Sequence, residues 1–298
     1  RWFYLAPTAR TLSNTDVLRA VDLIREPHWR LGEYTHYFGD IHTHSGQVMD
    51  QCDNTGCGRG SREENYEYAK GAGGLDFYAL TDHEWQVDPD KIGEYMALAD
   101  ERNQDGRFVC LPAYEHTDLL HGHRNVYFKG PGGTILNTNK EWGRPTQDPG
   151  LCHKPSDLWS AMEATGVPFM TAPHHPSAAS HPLNLDFCDP RYDRLFEIYS
   201  CWGSSEYYGD FPRGVADRWR TNDYRDAVTR GMRYGIIASS DGHDGHPGAA
   251  QSPRVKHHHL FHFCGSGRAV VLANELTQES IYDALHARRF YGTTGVPI

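Results

Sequence analysis

The sequence lacks the features of membrane-spanning proteins, of disulfide-rich proteins and of proteins that bind nucleic acid without sequence specificity. No apolar run approaches the ~18 residues of a transmembrane helix, so we expect no membrane insertion. The net charge of −10 argues against general nucleic-acid binding. The seven cysteines contain no CxxC pair, which argues against a cysteine-built zinc site or a disulfide scaffold. No P-loop and no GxSxG elbow occurs, which disfavours nucleotide-driven transfer and serine nucleophiles.

The cysteines and the start of the chain leave two questions open. Cys52 and Cys57 are close enough in a Gly- and Asn-rich loop to form a disulfide, and free thiols are the alternative. The chain begins at Arg1 and not at methionine, so we expect that its true start has been removed, together with any signal peptide. The sequence therefore predicts a soluble chain and leaves its compartment and its oligomeric state open.

Short apolar runs alternate with helical patterns, which predicts an α/β fold with a mainly parallel sheet. Near the N-terminus, residues 13–25 predict a short helix, because Ser13 or Asn14 can cap an apolar stripe. The predicted strands are 37–41, 75–80, 108–113, 125–128, 167–171, 195–199 and 234–238, and the other predicted helices are 63–72, 89–102, 156–165, 214–230 and 277–288.

Histidine is in excess, with 19 residues in a chain of 298, and this excess makes metal binding the first chemistry to consider. Metal-ligand residue types follow five of the predicted strands. They are His42 and His44, Asp82 and His83, Glu115 and His116, His174 and His175, and Asp241 and His243. In a barrel the C-terminal ends of the strands converge on one face, so this pattern predicts one shared site.

Individual members of this set suit a metal site. His42 and His44 are two residues apart, so in an extended strand both side chains point the same way and can hold one ion. Glu115 follows a buried strand, where a carboxylate is costly unless it is paired or bound to metal. A carboxylate can also bridge two ions, which an imidazole cannot.

These segments resemble the four motifs of the PHP (polymerase and histidinol phosphatase) superfamily. The resemblance rests on GDIHTHSG, LDFYALTDHE, LPAYEH, GHRNVYF, APHHPS and IIASSDGH, and the closing ALHARRFYGTTG is similar to a PHP-like subfamily of unknown function. It implies a distorted (β/α)7 barrel over residues 36–298, with metals at the C-terminal rim of the strands. Residues 1–35 would be a helical extension that belongs to the subfamily.

The resemblance also implies two to three divalent ions, which would be zinc, manganese or iron. The implied ligands are His42, His44, Glu115 and Asp241 for one ion, Glu115, His123 and His175 for a second, and Asp50, His83 and His243 for a third. His175 is preferred over His174 because it directly precedes a proline, and His123 over His121 because it opens a strand. Glu115, Asp241 and His243 are the predicted catalytic residues.

Such a cluster predicts a phosphoesterase that acts on small mono- or diesters, with promiscuity toward triesters, by a metal-bound hydroxide. A metallohydrolase of a lactone, amide or sulfate ester is the alternative, and a non-catalytic metal-binding module is another. Aromatic residues near the motifs, among them Trp85 and Trp202, suit an aryl leaving group. His257, His258, His259 and His262 lie in segment 256–263, where Phe261 and Phe263 alternate with His262, and this segment predicts a solvent-facing strand or loop and not a metal site.

Overall fold

The described part of the chain alternates short strands with helices. The computed structural model describes residues 28, 30–137, 153–178, 181–208, 222–248 and 267–294. The strands are β1 (Arg30–Leu31), β2 (Tyr34–Asp40), β3 (Phe77–Tyr78), β4 (Val109–Cys110), β5 (Ala113–His116), β6 (Arg124–Phe128), β7 (Phe169–Pro173), β8 (Leu195–Ser200), β9 (Gly203–Ser204), β10 (Gly235–Ala238), β11 (Arg268–Ala273) and β12 (Phe290–Thr293). The helices are α1 (Arg62–Lys70), α2 (Ile92–Arg102), α3 (Pro155–Glu163), α4 (Tyr224–Thr229) and α5 (Gln278–His286). None of these helices is long and apolar enough to cross a bilayer.

The largest sheet has the strand order β12-β11-β2-β3-β4, with β1 paired to β2. Strands β2, β3 and β4 are parallel, whereas β11 runs antiparallel to both β2 and β12. Helix α5 buries Ile281 and Leu285 in the same apolar cluster as Phe77, Val109 and Val271 of the sheet. Burial of this kind is the main stabilising contribution to the sheet.

Two three-stranded sheets complete the fold. One has the order β5-β6-β7 and is antiparallel throughout, and the other has the order β10-β8-β9. Isolated parallel bridges lie between the sheets at His83 and Glu115, and at Thr43 and Gly242. The first bridge joins the segment after β3 to β5, and the second joins the segment after β2 to the segment after β10.

The structure corrects the predicted (β/α)7 barrel. The described strands form three separate sheets and no closed barrel, and only five helices accompany them. The fold is mixed α/β, but most of the described strand pairs are antiparallel. One of them, β5 with β6, is joined by residues 117–123 without a helix. A parallel pair needs a longer crossover.

The predicted elements otherwise lie close to the observed ones. The described part of the 214–230 helix is α4, which is shorter than predicted. The helix predicted over residues 13–25 and the histidines 257–259 lie outside the described residues. Residues 30–31 and 34–40 form β1 and β2, so strand structure begins before the predicted domain boundary at residue 36. That boundary stays a prediction.

Candidate metal centre

The ends of four strands, the interior of a fifth and the start of a sixth bring histidines and carboxylates to one buried cluster. His42 and His44 follow β2, His83 follows β3, His174 and His175 follow β7, Asp241 and His243 follow β10, Glu115 lies within β5, and His123 directly precedes β6. A pocket of about 260 Å³ opens beside them. Its wall includes His44, Cys57, His83, Glu115, His123, His175, His181, Asp241 and His243, together with Trp85, Leu119 and Trp202.

The first donor group surrounds one oxygen of Glu115. The Nε2 atoms of His42 and His44 each lie 3.1 Å from Glu115 Oε2 and 3.3 Å from Asp241 Oδ1. Histidines 42 and 44 are at most 1% exposed. Two imidazole nitrogens and two carboxylate oxygens thus face one point, which is a donor set suited to a divalent transition metal.

The second donor group surrounds the other oxygen of the same carboxylate. Glu115 Oε1 lies 2.6 Å from His123 Nδ1 and 3.0 Å from His174 Nε2, and His83 Nδ1 is 3.4 Å away. Donor atoms of Glu115, His123, His174 and His175 all lie within 4.8 Å of one another. The two oxygens of Glu115 therefore face two different donor groups, which is the arrangement of a bridging carboxylate.

Hydrogen bonds behind the cluster set the orientation of its histidines. His42 Nδ1 lies 2.8 Å from Glu197 Oε2, and His243 Nδ1 lies 2.7 Å from the backbone oxygen of Asp241. Because these oxygens accept a hydrogen bond from Nδ1–H, the neutral ring in each case has its lone pair on Nε2, where it can bind an ion. Outer hydrogen bonds of this kind are usual behind metal-bound histidines.

The pKa values in the cluster follow from burial opposed by close opposite charges. Burial favours the neutral imidazole, but Asp241 and Glu197 hold the pKa of His42 well above its ordinary value. Burial likewise opposes the charged form of His44, but Asp241 and Glu115 raise its pKa to about 9. Burial would raise the pKa of both carboxyls, yet the surrounding histidines hold the pKa values of Glu115 and Asp241 well below the ordinary range. Burial lowers the pKa of His83, His174 and His175.

The donor atoms fit a bound cation. Asp241 Oδ2, His44 Nδ1, His123 Nε2 and His175 Nδ1 are buried and have no hydrogen-bond partner in the described part of the chain. Buried polar atoms are normally satisfied, so a group of unsatisfied ones at one place calls for a ligand or an ion. The lowered pKa values of His83, His174 and His175 favour the neutral imidazole that metal binding needs, whereas His42 and His44 would each release a proton to an incoming ion.

Backbone strain is present in the same place. His175 has φ 31° and Asp241 has φ 48°, in the left-handed region that residues other than glycine rarely adopt. Such conformations persist only where the surroundings impose them, and they are concentrated at functional sites. Each of these two residues lies just after a strand end, where the chain turns to direct a side chain into the cluster.

One predicted ligand, Asp50, is not brought to the cluster. Its side chain is 63% exposed and lies 2.5 Å from Lys91 Nζ. The backbone turns between Val48 and Gln51, with Met49 at φ 51°, and this turn directs Asp50 outward. The other predicted ligands lie in or beside the cluster.

The alternatives that the sequence left open have structural counterparts. His174 contacts Glu115, whereas His175 Nε2 lies 3.7 Å from Asp241 Oδ2, so both histidines face the cluster. His121 is held by Asp118 at 2.8 Å, while His123 contacts Glu115. Which of these bind an ion stays a prediction.

Sequence reasoning missed three further residues near the cluster. Glu197 lies in the predicted strand 195–199, where an acidic residue indicates a buried partner, because a buried carboxylate is costly unless it is paired. Cys57 lies at the pocket wall and is a free thiol. Cys52 is exposed and is also a free thiol, so the two cysteines are not joined by a disulfide. His181 stacks on His123 with ring centroids 4.3 Å apart.

Sequence comparison finds only uncharacterised relatives. No protein-family profile matches the chain. An uncharacterised protein of Chlamydia pneumoniae is 27% identical over 254 residues, and one of Chlamydia trachomatis is 23% identical over 254 residues. These alignments cover 78% and 79% of this chain but 37% of each relative, so the chain spans little more than a third of the proteins it matches.

Comparison with solved structures shows a shared fold. A two-domain protein from Bacteroides vulgatus, described as containing a predicted PHP-like metal-dependent phosphoesterase, superposes with a TM-score of 0.51 at 13% identity, over 90% of this chain and 68% of that one. PsfC from Pseudomonas syringae also gives a TM-score of 0.51, at 14% identity, over 87% of this chain and 91% of that one.

Proposed function

Starting from its PHP-like fold, we propose that this chain is a metal-dependent phosphoesterase that hydrolyses small phosphate mono- or diesters, with promiscuity toward triesters. The observation that carries the proposal is Glu115, whose two oxygens face two separate groups of buried histidines. Divalent ions held in such a pair would activate a water and neutralise phosphoryl oxygens. We expect two to three ions of zinc, manganese or iron per chain.

The residues of the chain have distinct tasks in this proposal. His42, His44 and Asp241 would hold the first ion together with Glu115, and His123 and His174 would hold the second ion together with the same carboxylate. His83 and His243, which stack on His44 with centroids 4.7 Å and 4.5 Å away, line the open pocket where a third ion or a phosphate oxygen would bind. Two or more cations stabilise a doubly charged transition state better than a singly charged one, which favours phosphoryl over carboxyl substrates.

The pocket wall binds the organic part of the substrate. Trp85 stacks on His83 with centroids 5.4 Å apart, and Trp202 lies 5.2 Å from His175. Leu119 adds a further apolar surface. Apolar and aromatic side chains around a few polar donors are typical of small-molecule sites, and here they would hold an apolar leaving group and keep bulk water away.

A panel of matched aryl esters tests the proposal. The purified chain, loaded separately with Zn2+ or Mn2+, is assayed on an aryl phosphomonoester, a diester and a triester, and on the acetate and sulfate of the same phenol. We expect a phosphate mono- or diester to be the fastest, with metal content of two to three ions by elemental analysis. Acetate or sulfate faster by more than ~10-fold, or a content of one ion or none, would contradict the proposal, since tenfold corresponds to about 1.4 kcal/mol in the wrong direction.

A further inference from the structure

Cys57 lies beside the donor cluster and belongs to neither of the two donor groups around Glu115. Its Sγ atom and one donor atom each of His44 and His83 lie within 4.8 Å of one another. We propose that Cys57 supplies a thiolate ligand to an ion that it holds together with His83, at the position for which the sequence predicted Asp50. This inference rests on the proposed metal-dependent function and specifies the ligand chemistry of one of its ions.

The loop that carries Cys57 is fixed against the segment after β2. The backbone N–H of Gly56 donates to Gly46 O at 3.1 Å, and that of Gly58 donates to Ser45 O at 2.9 Å. A Cβ atom at Gly58 would lie 1.9 Å from His44 O, so only glycine permits this close approach. The side chain between the two glycines is therefore held beside His44 by the backbone.

The ring of His83 is set in the form that binds a metal. The hydroxyl of Thr117 donates to Glu84 Oε2 at 2.7 Å, and the Thr117 N–H donates to the same oxygen at 2.9 Å. Because the Thr117 hydroxyl uses its hydrogen in the bond to Glu84, Thr117 Oγ1 accepts a hydrogen bond from His83 Nδ1 at 2.8 Å. The proton of the imidazole is thereby placed on Nδ1, and the lone pair of Nε2 is left for an ion.

Cys57 replaces Asp50 as the candidate third ligand beside His83 and His243. Asp50 points outward to Lys91, so it gives His83 and His243 no third ligand, whereas Cys57 lines the same pocket as both histidines. Thiolate and imidazole together favour Zn2+ over Mn2+ or Mg2+, which prefer oxygen ligands. When the Sγ–metal bond forms, the S–H bond breaks and its proton leaves to solvent, without any change in oxidation state.

Cobalt substitution tests the ligand directly. The chain is stripped of metal with a chelator, kept reduced and titrated with Co2+ in three forms, which are the wild type, Cys57→Ser and the matched control Cys52→Ser in the exposed part of the loop. We expect a near-ultraviolet thiolate-to-cobalt charge-transfer absorption in the wild type and the control. Cys57→Ser should lose this absorption and bind about one ion fewer, because a hydroxyl remains protonated and coordinates weakly.

A second measurement needs no variant. Iodoacetamide alkylation of the reduced wild type, with and without Zn2+, is followed peptide by peptide in a mass spectrometer. We expect Zn2+ to slow alkylation of Cys57 at least ~10-fold and to leave Cys52 unchanged, because a coordinated thiolate has its lone pair engaged. Equal rates for Cys57 with and without Zn2+ would contradict the proposal even if Cys57→Ser failed to fold.

The outcomes separate this inference from the proposed function. Co2+ binding without charge-transfer absorption in the wild type, or absorption that persists in Cys57→Ser, overturns the role of Cys57 and leaves the phosphoesterase proposal standing. Failure of the wild type to bind Co2+ or Zn2+ at all overturns both.

Discussion

Glu197 offers a sharp test of how the cluster is held, because it touches the cluster through one atom of one histidine. It lies in β8, is 3% exposed, and its Oε2 accepts from His42 Nδ1 at 2.8 Å. Replacing Glu197 by Leu removes the acceptor, which favours moving the proton of His42 to Nε2. That nitrogen is the one that faces Glu115 and Asp241, so the lone pair needed for an ion would be lost.

The size of the effect follows from this geometry. Loss of an outer hydrogen bond to a metal-bound histidine costs ~10–100-fold in metal affinity, which is about 1.4–2.8 kcal/mol. For Glu197→Leu we expect the upper end of this range, because a fully buried N–H is left without an acceptor. For Glu197→Gln we expect the lower end, because the amide oxygen still accepts from Nδ1 while the negative charge is lost.

The assay is competition for Zn2+ against a chromogenic chelator at fixed pH, with Glu94→Gln as the matched control on the exposed face of α2. Thermal unfolding of each variant without metal checks that the fold is retained. Zinc affinity of Glu197→Leu within about twofold of the wild type would refute the argument that Glu197 orients His42, since a lost tautomer costs more than that. Equal losses in the Gln and Leu variants would show that the charge, and not the acceptor, matters.

Three further predictions concern the cluster and its surroundings. Glu115→Gln should lower activity by at least ~100-fold and reduce the bound metal found by elemental analysis, because an uncharged amide bridges two cations poorly. The circular dichroism spectrum should be retained. Unchanged turnover would mean that another residue is the bridge. Without metal, the pKa of His44 is raised from 6.5 to about 9, so its contribution to stability is complete below pH 6.5 and is lost as the pH rises through 9. Denaturant unfolding in chelator should show a decrease of up to ~3 kcal/mol over this range, and an unfolding free energy that stays level or rises would contradict the pKa. Replacing His257, His258 and His259 together by Gln should leave turnover within about twofold, because the sequence predicts a solvent-facing segment here and surface substitutions have small effects. A large loss of turnover with unchanged metal content would contradict this prediction and indicate that the segment covers the pocket.

The sequence predicted most of the donor residues, because each follows an apolar run that is recognisable locally. His42 and His44 come just after β2, and Asp241 comes just after β10, so a one-dimensional pattern was enough to find them. The sheet topology was harder to predict. An apolar run looks the same in a parallel and an antiparallel strand, and only the helix-free connection between β5 and β6 indicates a hairpin.

The placement of Asp50 and of Cys57 depends on loop geometry. Asp50 was assigned from its offset after His44, but the turn between Val48 and Gln51 directs it to solvent. Cys57 is brought to His83 by the backbone hydrogen bonds of its flanking glycines. Contacts of this kind depend on three-dimensional loop geometry, and no spacing in the sequence encodes them.

The buried carboxylates of the cluster need positive charge close by, which protons or a metal ion can supply. Glu115 and Asp241 are almost fully buried, and buried carboxylates are costly unless opposite charge lies close by. The pKa values of His42 and His44 are raised, so without metal the protonated rings are favoured and would provide this charge. An incoming divalent ion takes over the same role and displaces those protons, so its affinity must rise with pH through the range in which His44 titrates. In the proposed phosphoesterase, protons or the ion would therefore balance the charge of the buried carboxylates, and removal of metal should abolish activity without unfolding the chain.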